Sequence, residues 1–488
     1  MEKKKSSLIT IEELATFCKR KGFVYPSGEI YGGLAGFWDF GHLGVELKNN
    51  IKKEWWKFHV HSREEVVGID GAIITNPKVW EASGHVKSFV EIVIKDKKTK
   101  ELFKVDVHES GKYKDTDKYS IEGTFNPMFT TTVGPNLSSQ TQAFLRPETA
   151  QLIFTNFKAV QDNARLKLPF GIAQIGKAFR NEVSPREFIF RNREFEQMEL
   201  EYFTAPKQKC PYIDEIKGIE IQLLTETMQK KNQKPKKMEI FDAHKKGLIK
   251  SDWHAYFLAL ELSWFLSLGA NPEKFRARQH KKEELSHYSS DTWDLEYEFP
   301  MGWRELQGFA DRSNYDLKQH EQYSKKSMEI HDENHGKLIP QVICEPSLGV
   351  ERAFLVFMLD AYERDKERDN IVLHIDPKLA PYKAAIFPLV SKGPILETSK
   401  EIYRDLLEEF NVLFDKSGSI GRRYARNDEI GTPYCITADE QTLEDKTITI
   451  RERDSTKQIR VPIIKLHDTL RNLINDKVTF QDAGEKLE

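Results

Sequence analysis

The stretch from residue 170 to 203 holds the side chains whose types and spacing point most directly to chemistry. Phe170 to Phe179 is apolar and alternating, Asn181 to Glu187 is polar with a proline, and Arg191 to Phe203 alternates again. That order predicts strand, loop, strand, with the two strands antiparallel. On the second strand the odd positions share one face. They are Arg193, Phe195, Gln197, Glu199 and Glu201. A cation, a ring, an amide and carboxylates make a poor core face. Such a face suits a ligand that carries charge and a ring of its own. A solvated outer face is the other reading that the periodicity allows.

The first of these strands nearly matches a phosphate-binding loop. Gly171-Ile-Ala-Gln-Ile-Gly176-Lys177-Ala178 fits G-x-x-x-x-G-K-[ST] except at the last position, where alanine replaces the magnesium-holding hydroxyl. It also lies inside an alternating run with no helix after it, so the helix N-terminus that cradles phosphate is missing. A phosphate loop is not expected here.

A scaffold of some size must hold that face. At roughly 150 residues per domain, 488 residues predict about three domains. The 30 Phe and 8 Trp supply a large core and exclude a mainly disordered chain. Lys plus Arg is 74 against 76 for Asp plus Glu, which excludes a generally basic nucleic-acid binder but not a local basic surface. Cys18, Cys210, Cys344 and Cys435 are far apart, with no C-x-x-C pair, so no zinc site or disulfide framework is expected. No apolar run approaches the roughly 20 residues of a membrane helix. The basic start, Met1-Glu-Lys-Lys-Lys, leads into a helix start and not a signal-peptide core, so a cytoplasmic protein is expected.

Residues 10–21 predict a helix, with Thr10 as N-cap, Glu13 completing a capping box and Gly22 as the stop. A Gly-rich turn precedes a helix over about 45–59, where Leu47, Ile51, Trp55 and Phe58 mark one apolar face. Ile69 to Thr75 reads as a strand. The charged stretch 95–119 reads as a surface insertion, and the Lys-rich stretch 206–250 as peripheral helices. Next come a helix over 251–268, a strand over 292–298, a turn at Pro300-Met-Gly302, a short strand over 341–344 and a buried helix over 349–362. Strands and helices in separate blocks are α+β grammar. Beyond Leu379-Ala-Pro381, strands at 383–390, 411–414, 434–438 and 447–451 alternate with helices at about 399–409 and 465–473. That predicts a small α/β domain with a mostly parallel sheet, and a division of the chain into 1–378 and 379–488.

Phe179-Arg180-Asn181-Glu182, followed after a short loop by Phe190-Arg-Asn-Arg-Glu-Phe195-Glu-Gln-Met-Glu199, resembles motif 2 of class II aminoacyl-tRNA synthetases. Gly349-Val-Glu-Arg352, opening a helix, resembles motif 3. Further pieces are Ser27-Gly-Glu-Ile-Tyr-Gly-Gly33, Leu145-Arg-Pro-Glu-Thr-Ala-Gln151, Glu305-Leu-Gln-Gly308, Glu345-Pro-Ser-Leu-Gly349 and Asp428-Glu-Ile-Gly-Thr-Pro-Tyr434. From about residue 10 to 475 the chain is most similar to the dimeric glycyl-tRNA synthetase family. Motif 1, the helix 44–61 with the strand ending near Pro77, is its weakest match. The resemblance implies an α+β class II catalytic domain built on an antiparallel sheet, followed by an α/β anticodon-binding domain. It implies activation of glycine by ATP with magnesium, without zinc, then transfer to tRNA(Gly) by a homodimer joined through motif 1. The rivals are a class II synthetase for Pro, Thr, Ser or His, and a non-catalytic tRNA-binding paralogue. Such paralogues tend to lose the motif 2 or motif 3 arginine, and both are present here.

The same resemblance implies roles. Arg180 and Arg352 are the expected catalytic residues, Arg180 on the α-phosphate and glycine carboxylate, Arg352 on the γ-phosphate. Asn181, Glu182, Phe190, Arg193, Phe195, Glu305, Leu306 and Gly349 complete the implied ATP site. In it Glu182 meets the adenine edge, Phe195 stacks under the ring, Arg193 lies near its other face, and Glu305 is a magnesium ligand. The implied glycine site is Lys104, Glu148, Phe195, Gln197, Glu199, Glu345, Ser347 and Gly349. Three of its carboxylates, Glu148, Glu199 and Glu345, take the ammonium, and Ser347 crowds the α-carbon so that a methyl is refused. Lys104 stands where the family usually has Arg, which turns a bidentate contact into a point charge. Gln307 stands where it often has Glu, which removes a negative charge near the site. In the C-terminal part, Arg422, Arg423 and Arg426 are the implied anticodon contacts, with Lys416 and Tyr424 in the same cluster. Basic and aromatic residues suit unstacked bases and their phosphates.

Overall fold

The computed structural model describes residues 9–105, 111–114, 116–135, 141–285 and 289–487. The first eight residues, and residues 106–110 and 115 of the charged stretch, therefore lie outside the described residues. The first helix, α1 (Ile11–Lys21), has its full capping box: Glu13 N–H donates to the Thr10 hydroxyl, and Thr10 N–H to the Glu13 carboxylate. Gly22 ends it in the left-handed region. The second helix, α2 (His42–Trp56), continues into one wider turn over Lys57–His61. Gly44 on α2 is required by close approach, because a Cβ there would overlap the Phe23 carbonyl.

The strand expected over 69–75 is two strands. The first, β1 (Val66–Ile69), joins the main sheet, while Ile74–Thr75 pairs with Phe144 and Leu145 in another. Arg146 takes the segment between them, donating to the carbonyls of Gly71 and Ile73. The charged stretch beyond forms a small antiparallel sheet of β2 (Glu91–Asp96), β3 (Leu102–Val105) and β4 (Tyr119–Phe125). It is held by Phe103 edge-on to Tyr119 at 5.4 Å.

The main sheet has nine strands. After α3 (Ala150–Ala164) come β5 (Phe170–Phe179), β6 (Glu194–Thr204), β7 (Glu220–Leu224) and β8 (Lys236–Glu239). After α4 (Asp252–Ser267) come β9 (Phe275–Gln279), β10 (Asp291–Phe299) and β11 (Gly302–Asp311). Then follow α5 (Tyr315–Ser324), β12 (Gln341–Gly349) and α6 (Val350–Ala361). The spatial order is β8-β7-β9-β10-β11-β12-β6-β5-β1. Only β1–β5 and β7–β9 are parallel pairs, so the sheet is mainly antiparallel. The Lys-rich stretch expected to be helical supplies β7 and β8 at one edge. Exposed Lys236 and Lys237 on the outermost strand suit an edge that must not pair with another chain.

One face of this sheet shares a large core with α2, α4 and α6, through Met198, Leu200 and Tyr202 of β6. The opposite face is not a solvated surface. Gln197, Glu199 and Glu201 are 5, 1 and 0% exposed. Further along β6, Phe203 packs with Phe154, Phe157 and Phe170 beneath α3.

A hairpin, β13 (Tyr362–Asp365) and β14 (Asn370–Leu373), leads from α6 to a second core that begins at Ala384. Here α7 (Gly393–Leu406) lies between β15 (Ala384–Pro388) and β16 (Val412–Phe414). Then come α8 (Ile420–Glu429), β17 (Tyr434–Ala438), β18 (Thr447–Glu452), β19 (Gln458–Pro462), α9 (Leu466–Ile474) and β20 (Glu485–Leu487). The sheet is mixed and not mostly parallel: β16-β15-β17 are parallel, and β17-β18-β19-β20 antiparallel. No helix among the described residues is long and apolar enough to cross a membrane.

Candidate active site

The polar face of the nine-stranded sheet lines a cavity of roughly 410 Å³. Strand register places its walls. Across β5 and β6, Gly176 faces Gln197 and Gln174 faces Glu199. Across β6 and β12, Gln197 faces Gly349 and Glu199 faces Ser347. Across β12 and β11, Ser347 faces Gly308 and Glu345 faces Ala310.

Cations gather at one end. Arg180 donates from Nε to the Pro147 carbonyl at 2.9 Å, and its guanidinium lies 5.4 Å from the centre of the Phe195 ring. Arg352, in the first turn of α6, lies over Phe190 at 4.6 Å and donates to the Glu305 carbonyl at 2.8 Å. Its Nη1 is 3.2 Å from the half-exposed Glu305 carboxylate. Burial pushes the Glu305 carboxyl up, but Arg352, His280 and Arg180 more than offset it and hold it below the usual range. Lys104 reaches the cavity from β3, pairing with Glu91 and lying 3.1 Å from Glu182.

Carboxylates fill the other end. Glu199 accepts from Ser347 Oγ at 2.6 Å, from Gln197 Nε2 at 2.8 Å, and from the Thr149 amide and hydroxyl. Burial and nearby Glu148 push its carboxyl up. Glu345 accepts two bonds from Arg312 Nη1, at 2.9 and 3.0 Å. Arg312 also clasps Asp316 with Nε and Nη2 at 2.8 and 2.9 Å. Even so, burial pushes Glu345 up to about 8, with Glu199 and Glu148 adding to it. Glu148 is the exception. Burial raises it, but His85 and Arg312 dominate and hold it far below the usual range.

The site therefore has two ends of opposite character. One offers guanidinium and ammonium groups between aromatic rings, suited to a nucleotide's phosphates and base. The other offers crowded carboxylates in a confined space, suited to a small ammonium. Both descriptions agree with similarities to known proteins. Residues 136–362 match the tRNA synthetase class II core domain (G, H, P, S and T), and residues 383–473 the anticodon binding domain. The glycine–tRNA ligase of Borreliella burgdorferi is 42% identical over 485 residues, covering 97% of this chain and all of that protein. That of Geobacillus thermodenitrificans is 42% identical over 514 residues, with 98% and 100% covered, and that of Clostridium kluyveri 42% over 506, with 96% and 99%. The chain belongs to the glycine–tRNA ligase family. Its class II core and its anticodon-binding domain correspond to the two cores described above.

Within this ligase fold most of the implied residues do converge on the cavity. Lys104, Glu148, Arg180, Glu182, Phe190, Phe195, Gln197 and Glu199 line it, as do Glu305, Leu306, Glu345, Ser347, Gly349 and Arg352. Asn181 and Arg193 do not. The Asn181 amide donates to the Pro127 carbonyl. Arg193 spends its guanidinium on the carbonyls of Glu182 and Ala35, which pins the loop and leaves it unable to cover a base. Gln307 is likewise displaced from its expected place. It is fully buried, in register with Leu348 and Leu295 on the core side of the sheet, so it alters no charge in the cavity.

Other residues were missed. His280 and Asp294 line the cavity, 2.7 Å apart, and burial pushes Asp294 up to about 6. The alternation Thr292, Asp294, Glu296 on a predicted strand was the available signal. In the anticodon-binding domain, Arg423 is a correction. It is 3% exposed and donates to the carbonyls of Pro388, Gly418 and Lys416 and to Ser391 Oγ, so it braces the fold and offers nothing to RNA. Tyr424 is tied to Thr437 and covered by Arg451. Arg422 and Arg426 are exposed on α8, and Arg426 is partly engaged by Asp415.

Proposed function

We propose that the cavity activates glycine with ATP to glycyl-adenylate and then passes the glycyl group to tRNA(Gly). The observation that carries this reading is the cavity's polarity, with Arg180 and Arg352 at one end and buried Glu148, Glu199 and Glu345 at the other. Adenine stacks on Phe195 with Glu182 at its edge, and the glycine ammonium sits among the carboxylates. The glycine carboxylate then attacks the α-phosphate in line. No side chain forms a covalent bond, so rate comes from positioning and from charge neutralisation by Arg180 and Arg352. Alanine is refused because the Ser347 hydroxyl is locked onto Glu199 and cannot swing aside for a methyl.

Magnesium would accompany ATP and lessen the phosphate charge. Glu305 fits as its ligand, being half exposed and engaged on one oxygen by Arg352 among the described residues. Among the described residues no group of three or more His, Cys, Asp or Glu forms a metal cage.

Arg422 and Arg426 are the proposed anticodon contacts. Dimerisation is supported by β1, which ends the nine-stranded sheet beside motif 1 helix α2 and offers a strand edge to a second copy. Sedimentation giving only monomer at micromolar concentration would remove that part. Four free, buried cysteines suit the reducing cytoplasm.

Amino-acid-dependent ATP–pyrophosphate exchange across all twenty amino acids tests the central reaction. Glycine alone should support exchange. Arg180→Ala should lower it by roughly 10²-fold, the loss of one charged contact that strengthens in the transition state. Exchange with a different amino acid, or an undiminished rate in the variant, would overturn the assignment.

A further inference from the structure

Behind the carboxylate end lies a titratable group to which the reaction assigns no task. Glu201 is fully buried, and neither of its carboxyl oxygens has a hydrogen-bond partner among the described residues. The β6–β12 register faces Glu199 with Ser347 and Tyr202 with Cys344, which sets Glu201 directly across from Glu345 on one face. Directly opposed residues hold their Cβ atoms about 4.5–5.5 Å apart. Side chains rising from such neighbouring Cβ atoms on one face bring two carboxyls close together, and in a dry interior both cannot ionise without a large cost.

The groups around this pair do not remove the cost. The enclosed Arg312 guanidinium serves Asp316 and, at 3.9 Å, Glu148 as well as Glu345. Glu199, two residues along β6, has only neutral donors: Thr149, Gln197 and Ser347. Glu148 is matched by His85 at 3.3 Å and by Gln151. From α5 come Asp316 and His320, the latter turned to Gln151. From β5 come Ile172 and Gln174, neither charged, and the Gln174 amide is itself buried without a partner. Arg146 spends its guanidinium on the carbonyls of Lys177 and Gly71, while Arg180 donates to the Pro147 carbonyl and its charge acts on Glu148 and Glu199. Carboxyls thus outnumber enclosed cations, and burial together with Glu345 pushes the Glu201 carboxyl well up.

We propose that the empty site keeps one proton on the Glu201–Glu345 pair and that the incoming glycine ammonium expels it, so that glycine binding is linked to proton release. The inference rests on placing the ammonium among Glu148, Glu199 and Glu345. Only one bond changes: a carboxyl O–H breaks, its proton leaves to solvent through the cavity, and the ammonium takes over the positive charge. While the free site holds the proton, each rise of one pH unit should strengthen glycine binding about tenfold.

The test is the apparent KM for glycine in ATP–pyrophosphate exchange at saturating ATP between pH 6.5 and 7.5. It should fall about tenfold in the parent protein, while the KM for ATP moves less than about twofold. Glu201→Gln, neutral at every pH and of similar shape, should flatten the glycine dependence to within about twofold. A side chain that merely fills space would leave the slope intact in that variant, and such a result overturns the proposal. So does a flat glycine KM in the parent. Should the variant fail to fold, glycine titration calorimetry of the parent in buffers of different ionisation heat decides the matter. About one proton released supports the linkage and none overturns it. An unaltered glycine KM in Glu345→Gln would instead show that the ammonium placement is what fails.

Discussion

Lys48 on α2 donates from Nζ to Glu351 Oε1 on α6 at 2.6 Å, across 303 residues of sequence. The same ammonium lies 2.9 Å from Glu196 on β6, and Glu351 in turn accepts the Glu196 amide at 3.0 Å. Burial alone would depress the Lys48 ammonium pKa, but Glu351 and Glu196 more than offset it and raise it. One cation therefore joins α2, β6 and α6, and its partner Glu351 lines the cavity.

Lys48→Met should show what that junction contributes. Removing the ammonium leaves the buried Glu351 carboxylate without its cation, while Glu196 keeps Lys52 at 3.0 Å, a loss of about 3 kcal/mol. The thermal midpoint should drop clearly. Because Glu351 precedes Arg352, the KM for ATP should rise more than that for glycine. An unchanged midpoint would mean the junction adds nothing to stability.

Gly308 faces Ser347 across β11 and β12, and a Cβ there would meet no atom within 4 Å. Gly308→Ala therefore adds a methyl to the cavity itself. The protein should fold normally, and the glycine KM should rise roughly 10- to 100-fold, the range for one methylene in a confined pocket. Ser347→Gly acts in the opposite sense, removing the hydroxyl that Glu199 holds. Its discrimination against alanine in pyrophosphate exchange should weaken by a similar factor. Parent-like discrimination would show that Ser347 is not the barrier.

The α8 arginines should separate into two behaviours. Arg423→Ala strands the buried Pro388 carbonyl and unties the carbonyls of Lys416 and Gly418, and should cost about 1–3 kcal/mol in chemical denaturation. Arg422→Ala should leave stability alone, weaken tRNA binding and reduce its salt slope by roughly one. If Arg423→Ala is as stable as the parent yet loses tRNA, its bracing role is wrong.

These behaviours also show which features could be read from residues alone. The β5–β6 pair was legible because a largely apolar run and a run of alternating character flank a proline-bearing loop. Arg180, Arg352 and the carboxylates came from resemblance; periodicity left their strand face open between binding surface and solvent. Arg423 was misplaced because three arginines within five residues look alike in composition. Helical spacing separates them: Arg422 and Arg426 share one stripe, while Arg423 pairs with buried Asn427, which donates to its carbonyl. The strand β8 was hidden by its lysines, Lys236 and Lys237, which mark a protected edge as readily as a surface helix. Arg312 could not be identified from its neighbours, since an Arg and an Asp four apart look the same whether solvated or sealed. Only tertiary packing brings Glu345 to them.

The hairpin that follows α6 has a consequence for how an RNA substrate must fit. Arg352 lies in the first turn of α6, and the helix runs about 18 Å, at 1.5 Å per residue, straight into β13. The hairpin then grips α8: Asn370 donates to the Ala425 carbonyl at 2.9 Å, and Arg368 lies 3.3 Å from Asp428. Lys21 of α1 adds a bond to Glu429 from the side. Ala425 is the immediate neighbour of Arg426. The distance between the cavity and α8, where the anticodon contacts are proposed, is thus held like the jaws of a locked caliper, and on that proposal an RNA of the wrong span would have to deform to reach both.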